Sequence, residues 1–138
     1  MTKSAKSIAK TIDAAFEEKT TLDTVYLIDG SSRDVTLEII VGAPEQTAVT
    51  DIILGDNTIV KGKKGSVDEF PLGANKNLNG KKVLITTVMV DTSKDTNNVE
   101  SIIRLRGGFK FIEYPLFKVV KNEGDSAIFS SSIEFFKL

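Results

Sequence analysis

Apolar and polar side chains alternate along most of this 138-residue chain, from Leu22 to Leu138, and this alternation constrains its fold more than any other feature. The segment Val35–Val41, for example, places an apolar side chain at every second position. A period of two is typical of β-strands with one buried face. Turn sequences such as Asp29-Gly30 and Asn79-Gly80 separate such segments. The pattern predicts about seven to nine strands in an antiparallel two-sheet β-sandwich of Greek-key or jelly-roll type.

The alternation also gives approximate strand positions. Lys82–Val90 is apolar on both faces, which predicts a strand in the middle of a sheet that is covered on both sides. Residues 62–80 are rich in Gly, Lys and Asn and are predicted to be mainly loop, with at most a short strand near Val67–Leu72. Phe117–Lys121 and Ser126–Phe136 are expected to pair across a turn at residues 122–125. The other predicted strands are Val25–Ile28, Val35–Val41, Ala48–Leu54, Thr58–Lys61 and Val99–Arg106.

Seven of the ten aromatic residues lie between Phe109 and Phe136, so we expect this end of the chain to supply much of the core. Within it, Gly108–Tyr114 partly resembles the aromatic strand of RNA-recognition motifs, whose rings stack on bases. Gly107 stands where that motif has a basic residue, and no helix is predicted after residue 20, although the fold of that motif requires helices there. We therefore interpret these aromatic residues as core, in an extended segment that Pro115 interrupts or confines to a sheet edge.

One helix is predicted, over residues 3–18, where the period changes to 3.6 residues. Lysines near its first turn and acidic residues at its end oppose the helix dipole, so this short helix needs a surface to pack on. That surface is either the chain's own sheet or a neighbouring subunit. We predict that Ile8, Ile12 and Phe16 make the contact. The chain is then a single domain, residues 1–138, with the helix at 3–18 and the β-sandwich at 22–138.

The chain contains no cysteine and no histidine. These absences exclude disulfides, thiolate nucleophiles, Ser-His-Asp triads and the usual protein ligands of zinc and copper. Catalysis would have to use carboxylates, lysines or tyrosines. We therefore predict that the protein is not an enzyme and carries no cofactor.

One polar segment, residues 91–98, gathers oxygen ligands of the kind that calcium prefers. Its candidate ligands are Asp91, Asp95 and Asn97. Their spacing matches no EF-hand, and Lys94 places a positive charge among them. We interpret the segment as a solvated turn and predict no metal site.

A basic cluster is also present, formed by Lys61, Lys63, Lys64, Lys76, Lys81 and Lys82. Phosphate groups would suit it, but a single-stranded nucleic acid would also require exposed aromatic residues between the lysines, and Phe70 is the only one nearby. The net charge of the chain is −1. We therefore interpret the cluster as a solvated loop and predict no nucleic-acid partner.

The sequence shows no apolar run long enough to cross a membrane and no secretory signal at its N-terminus. We expect a cytoplasmic protein without a membrane partner. Export by a route that uses no cleaved signal stays open.

Three hypotheses for function follow from these patterns. The leading one is a non-enzymatic structural or interaction module that acts with protein partners, as a homo-oligomer or as a subunit of a larger assembly of the capsid, tail or injection-particle kind. Residues 1–60 are net acidic and residues 61–138 net basic, which favours contacts between copies. The second hypothesis is a sandwich that binds carbohydrate or another small molecule, with or without calcium, through Tyr26, Tyr114 or Phe136. The third is a toxin, effector or immunity protein that acts through a partner surface.

Overall fold

The computed structural model describes residues 18–42, 47–90, 98–120 and 125–138. Within these ranges the chain forms nine β-strands and one short 3-10 helix at Asn75–Asn77. The strands are β1 (Thr21–Ile28), β2 (Asp34–Val41), β3 (Thr47–Leu54), β4 (Asn57–Lys64), β5 (Val67–Ala74), β6 (Lys82–Val90), β7 (Asn98–Arg106), β8 (Ile112–Val119) and β9 (Ser126–Lys137).

The strands form two sheets, which confirms the predicted mainly β, two-sheet architecture. The five-stranded sheet has the order β1-β9-β6-β3-β4, and the four-stranded sheet has the order β5-β2-β7-β8. Neighbouring strands are antiparallel except β1 and β9, which run parallel, with Thr21 opposite Ser130 and Ile28 opposite Lys137. The sandwich is therefore mostly, but not entirely, antiparallel.

The core lies between the sheets and is built from alternate residues of each strand, as the period of two requires. Its largest fully buried side chains include Tyr26, Phe129 and Phe135. The Tyr26 and Phe135 rings meet edge to face, with centroids 6.2 Å apart. This geometry is favoured between aromatic rings because the positive edge of one faces the negative face of the other.

Strand β6 lies in the middle of the five-stranded sheet, as predicted. Its inner face is buried, but Leu84 and Val88 on its outer face are 41% and 39% exposed. The expectation that both faces are covered is therefore not met within the described residues. The five-stranded sheet presents apolar side chains to its outer side.

Two of the predicted strand assignments are wrong. Phe117 lies in β8 and pairs with β7, whereas β9 pairs with β6 and β1, so the last two strands belong to different sheets. Residues 62–80 are mainly strand, because β4 continues to Lys64 and β5 spans Val67–Ala74. Both β4 and β5 are edge strands. An edge strand pairs on one side only and tolerates lysine and proline, so it lacks the apolar pattern of a central strand.

The prediction that Pro115 lies at a sheet edge is confirmed. Pro115 lies in β8, which is an edge strand of the four-stranded sheet.

The predicted helix at residues 3–18, with Ile8, Ile12 and Phe16, lies outside the described residues except for its last residue.

Candidate interaction site

The segment Gly107–Phe111 leaves β7 and bends across the end of the sandwich before β8 begins. Gly107 has a φ of 94°, which favours glycine. A Cβ on Gly107 would lie 2.0 Å from the backbone oxygen of Asp34, and a Cβ on Gly108 would lie 2.4 Å from the Tyr26 ring. Two consecutive glycines are needed here because the backbone packs directly against β1 and β2. For this reason, the predicted extended segment from Phe109 to Tyr114 is wrong for residues 109–111, whereas Ile112 and the residues up to Tyr114 belong to β8 as predicted.

Hydrogen bonds fix this segment along its length. Gly108 N–H donates to the Tyr26 hydroxyl (3.1 Å), which donates in turn to the Lys110 backbone oxygen (2.6 Å). Phe109 N–H donates to the Leu27 backbone oxygen (2.9 Å). The Arg33 guanidinium donates to the Gly108 backbone oxygen (2.8 Å). The loop is therefore held as a rigid extension of β1.

Asn75 supports the loop from the side of the 3-10 helix. This side chain is completely buried, and its amide nitrogen donates to the backbone oxygens of Arg33 (2.7 Å) and Gly107 (2.9 Å). Its amide oxygen accepts from Asp29 N–H (3.1 Å). A buried amide that uses both its donor and acceptor groups fixes its neighbours, because any displacement would leave a polar group unpaired. The turn after β1, the start of β2 and the Gly107 turn are thus tied together.

The loop presents Phe109 to solvent, with 64% of the residue exposed. Phe109 lines a cavity of about 110 Å³ together with Val25, Leu27 and Ile112. Leu27 lies opposite Phe136 in the parallel pairing of β1 with β9, and Phe136 is 52% exposed. We name Val25, Leu27, Phe109 and Phe136 the aromatic patch. Exposed aromatic residues in rigid surroundings are typical of the energetic centres of protein interfaces.

The interpretation of the C-terminal aromatic residues as core is confirmed only in part. Phe129 and Phe135 are buried, but Phe109, Phe111 and Phe136 are exposed. Phe111 turns to the other sheet, where its ring stacks on the Arg106 guanidinium, 4.8 Å from ring centroid to Cζ. The exposed rings at 109 and 111 therefore face two different environments.

A network of ion pairs covers part of the outer face of the four-stranded sheet. Glu38 lies between Arg104 (3.5 Å) and Arg106 (3.0 Å). Arg104 also pairs with Glu113 (2.9 Å), and Arg106 with Glu69 (3.4 Å). The hydrogen bond from Arg106 lowers the pKa of Glu38. The network holds two arginines and three glutamates, so its charges compensate one another except for a net −1.

The three rings considered for ligand binding have different environments. Tyr26 is buried in the core, and Tyr114 is half-buried next to it. Burial raises the pKa of Tyr114 to about 12, and burial likewise raises the pKa of Tyr26. Of the three, only Phe136 is available to a partner in solution.

The structure does not gather the lysines into one cluster. Lys61, Lys63 and Lys64 lie on the exposed edge strand β4, where Lys64 is at the level of Val49. Lys82 lies at the other end of the sheet, near Leu54. The distance along β3 from Val49 to Leu54 is about 17 Å, at 3.3–3.4 Å per residue. Lysines on an edge strand discourage pairing with other sheets. The interpretation of a solvated segment holds, although the segment is a strand.

The candidate calcium ligands Asp91, Asp95 and Asn97 lie outside the described residues. Elsewhere in the described chain, no three His, Cys, Asp or Glu residues come together to hold a metal ion. Within the same ranges, no helix is long and apolar enough to cross a membrane.

Comparisons with protein families, with curated proteins and with solved structures find no match for this chain. The candidate site therefore rests on the geometry above. A rigid loop displays an exposed phenyl ring beside three further apolar side chains, at the edge of a two-sheet sandwich. This arrangement can bury apolar surface against another protein.

Proposed function

We propose that the protein is a non-enzymatic interaction module that acts as a subunit of a larger protein assembly through the aromatic patch. The observation that carries this proposal is the fixed exposure of Phe109. The backbone N–H of Phe109 donates a hydrogen bond to the Leu27 backbone oxygen. The neighbouring residues Gly108 and Lys110 are both hydrogen-bonded to the Tyr26 hydroxyl. Because the backbone of the loop is already fixed, a partner that covers the ring has to order only the side chain.

The simplest partner is a second copy of the chain. The sandwich supports this proposal by analogy at the level of fold, since two-sheet sandwiches of this size serve as subunits of capsids, phage tails and injection particles. We also propose that the sandwich is of Greek-key or jelly-roll type. All connections except the β3–β4 and β7–β8 hairpins cross from one sheet to the other, as such topologies require.

The experiment is light scattering after size-exclusion chromatography over a series of protein concentrations. We expect the mass of the wild-type protein to rise with concentration. The double variant Phe109→Ser/Phe136→Ser should weaken association by about tenfold or more, because it removes the central rings of the interface. Phe111→Ser is the matched control, because Phe111 is 49% exposed but lies outside the patch.

Two results would overturn the proposal in its self-assembly form. One is a wild-type protein that stays monomeric at every concentration. The other is a double variant that associates as strongly as the wild type. In either case, an effector or immunity protein with a different partner becomes the better hypothesis.

Binding of a small ligand at the aromatic patch has less support. The cavity at the aromatic patch, about 110 Å³, is smaller than the 300–1,000 Å³ that is typical of small-molecule sites. Thermal-shift screening against sugars and calcium tests this alternative, since a ligand of the native state raises the unfolding midpoint.

A further inference from the structure

A second group of apolar side chains lies on the outer side of the five-stranded sheet, the side that also carries Val25, Leu27 and Phe136 of the aromatic patch. Val88 lies opposite Ile128 on β9 and opposite Val49 on β3. Ile128 is 57% exposed, and Val88 and Val49 are also exposed. Leu84, four residues before Val88, lies opposite Ile53. We name Ile128, Val88, Val49, Leu84 and Ile53 the outer apolar face.

On β6 and β9, small side chains separate the two groups of the outer apolar face, and on β3 Asp51 lies between Val49 and Ile53. Thr86 and Ser130 lie opposite each other between Val88 and Leu84, and Ser132 lies opposite Leu84. Together with Thr21 and Asp23 they line a depression of about 290 Å³. Hydroxyl-bearing side chains flanked by branched apolar ones leave room for a large side chain from another element. The face therefore has raised apolar groups on either side of a depression, a shape that suits docking better than a flat solvated sheet does.

The described chain begins at Glu18, between strand β8 of the four-stranded sheet and strand β9 of the five-stranded sheet. Lys19 is fixed to Phe117 by two backbone hydrogen bonds, 2.8 Å and 2.9 Å, and Thr20 accepts a hydrogen bond from Ser130 N–H (3.0 Å). Ser130 is two residues from Ile128 on the same side of β9. Strand β1 pairs with β9 only from Ser130 onwards. Glu18, where the described chain begins, therefore lies near the start of β9, the strand that carries Ile128.

We propose that residues 3–18 pack as an amphipathic helix across the outer apolar face of the same chain, with Ile8, Ile12 and Phe16 directed towards it. Sixteen helical residues would span about 24 Å. The two groups of the face, at Val88 and Leu84, are about 13 Å apart along β6. The segment is long enough to cover both without a linker.

The outer face of the four-stranded sheet is the competing surface, and its chemistry is less suitable. It carries the ion-pair network of Glu38, Arg104 and Arg106. Covering these charges with an apolar helix stripe would remove them from water without new partners, which is unfavourable. The outer apolar face carries a single ion pair at its β3–β4 side among the described residues, Lys61–Asp51 (3.8 Å), so the cost of covering it is smaller. A helix there would also cover the apolar outer side of β6.

The absence of cysteine allows a direct distance measurement, because introduced cysteines are the only sites of labelling. Spin labels are placed in the full chain at Lys10→Cys and Lys82→Cys, where Lys82 lies at the rim of the face beyond Leu84. The matched control is Lys10→Cys with Asp34→Cys, since Asp34 is an exposed residue of β2 at the same end of the other sheet. We expect one narrow distance distribution for 10–82. The 10–34 distance should be at least about 10 Å longer, because packed layers are separated by that amount.

Three results would overturn this proposal. A broad 10–82 distribution would mean that the segment has no fixed position. A 10–34 distance equal to or shorter than 10–82 would place it on the other sheet. Loss of the short distance on dilution with unlabelled protein would assign the contact to a second copy.

A stability measurement complements the distances. Ile8→Asp/Ile12→Asp should lower the thermal unfolding midpoint by about 5 °C or more, because it removes the apolar contact. Lys6→Gln/Lys10→Gln introduces the same change of charge, −1 at each position, on the polar side of the segment and should change the midpoint less. Equal midpoints for the two variants would contradict the proposal. Association through the aromatic patch is measured separately by light scattering, so the two proposals can fail independently.

Discussion

The Tyr26 hydroxyl donates a 2.6 Å hydrogen bond to the backbone oxygen of Lys110, 84 residues later in the chain. The same hydroxyl accepts a hydrogen bond from Gly108 N–H at 3.1 Å. Tyr114 packs against the same core, but within the described residues its buried hydroxyl has no hydrogen-bond partner. The two tyrosines of the chain thus form a natural comparison between a satisfied and an unsatisfied buried hydroxyl.

The first prediction compares their phenylalanine variants. Tyr26→Phe should lower the free energy of unfolding by about 1–3 kcal/mol, because it leaves Gly108 N–H and the Lys110 oxygen unpaired in the protein. Tyr114→Phe should leave stability unchanged or raise it slightly, because it removes only an unpaired polar group. Urea unfolding at equilibrium measures both. Equal losses in the two variants would contradict the hydrogen-bond assignment.

The second prediction concerns alkaline pH. Burial raises the pKa of Tyr114 to about 12 and also raises that of Tyr26, so the folded state holds both phenolic protons more tightly than the unfolded state. Their contribution to stability is complete below the ordinary value of 10.0 and is lost as the pH rises through the folded pKa. Because the chain has two tyrosines and no tryptophan, tyrosinate absorbance reports these residues alone. We expect tyrosinate to form near the ordinary pKa in denaturant and only at higher pH in the folded protein. Identical titration curves would refute this.

The third prediction tests the close packing of the loop. Gly108→Ala should cost about 3 kcal/mol of unfolding free energy, because its Cβ would meet Tyr26 at 2.4 Å and the Leu27 oxygen at 2.8 Å. Gly55→Ala is the control. Gly55 has a φ of 60° but open space around its Cβ, so only backbone strain of about 1–2 kcal/mol applies. If both variants lose the same stability, the loop is not tightly packed.

The fourth prediction concerns a buried pair of hydroxyls. Thr50 and Thr87 lie opposite each other on β3 and β6, and their hydroxyl oxygens are 2.8 Å apart in the core. Thr50→Val or Thr87→Val alone should cost about 1–3 kcal/mol, because the remaining hydroxyl loses its partner. The double variant should cost clearly less than the sum of the single variants. A double-mutant cycle in urea measures this coupling, and strict additivity would argue against the bond.

The fifth prediction concerns acid. The hydrogen bond from Arg106 lowers the pKa of Glu38 below its ordinary value of 4.5. The stabilisation is therefore present above 4.5 and is lost as the pH falls through the lower pKa of the folded state. Glu38→Gln should flatten the fall of the thermal midpoint on acidification. Asp68→Asn, an exposed carboxylate of β5, is the control. If the thermal midpoint falls equally steeply with decreasing pH in Glu38→Gln and Asp68→Asn, the result would count against the ion-pair network.

The sequence predicted the central strands better than the edges. β2, β6 and β7 alternate clearly because one face of each packs in the core. β4 does not, because its residues are exposed and contact one neighbour only. The false pairing of Phe117–Lys121 with β9 arose because a short turn between two strands suggests a hairpin, whereas here the chain crosses between sheets.

The candidate site was harder to predict than the fold. Phe109 and Phe111 have the spacing of core residues, and only the preceding Gly107-Gly108 indicated that the backbone bends. Asn75 supports the loop through hydrogen bonds to Arg33 and Gly107, which are distant from it in sequence. No local sequence pattern indicates these hydrogen bonds. The contact predicted for Ile8, Ile12 and Phe16 stays a prediction.

The parallel neighbours β1 and β9 have a kinetic consequence. Thr21 finds its sheet partner only when Ser130 is in place, so almost the entire described chain must be ordered or looped out beforehand. Chains dominated by such distant pairings fold slowly, because the loop entropy is lost before the contacts form. On the ribosome, the first strand emerges long before its partner. Until synthesis reaches β9, its backbone is available to other chains, and this interval is when chaperone protection would matter most.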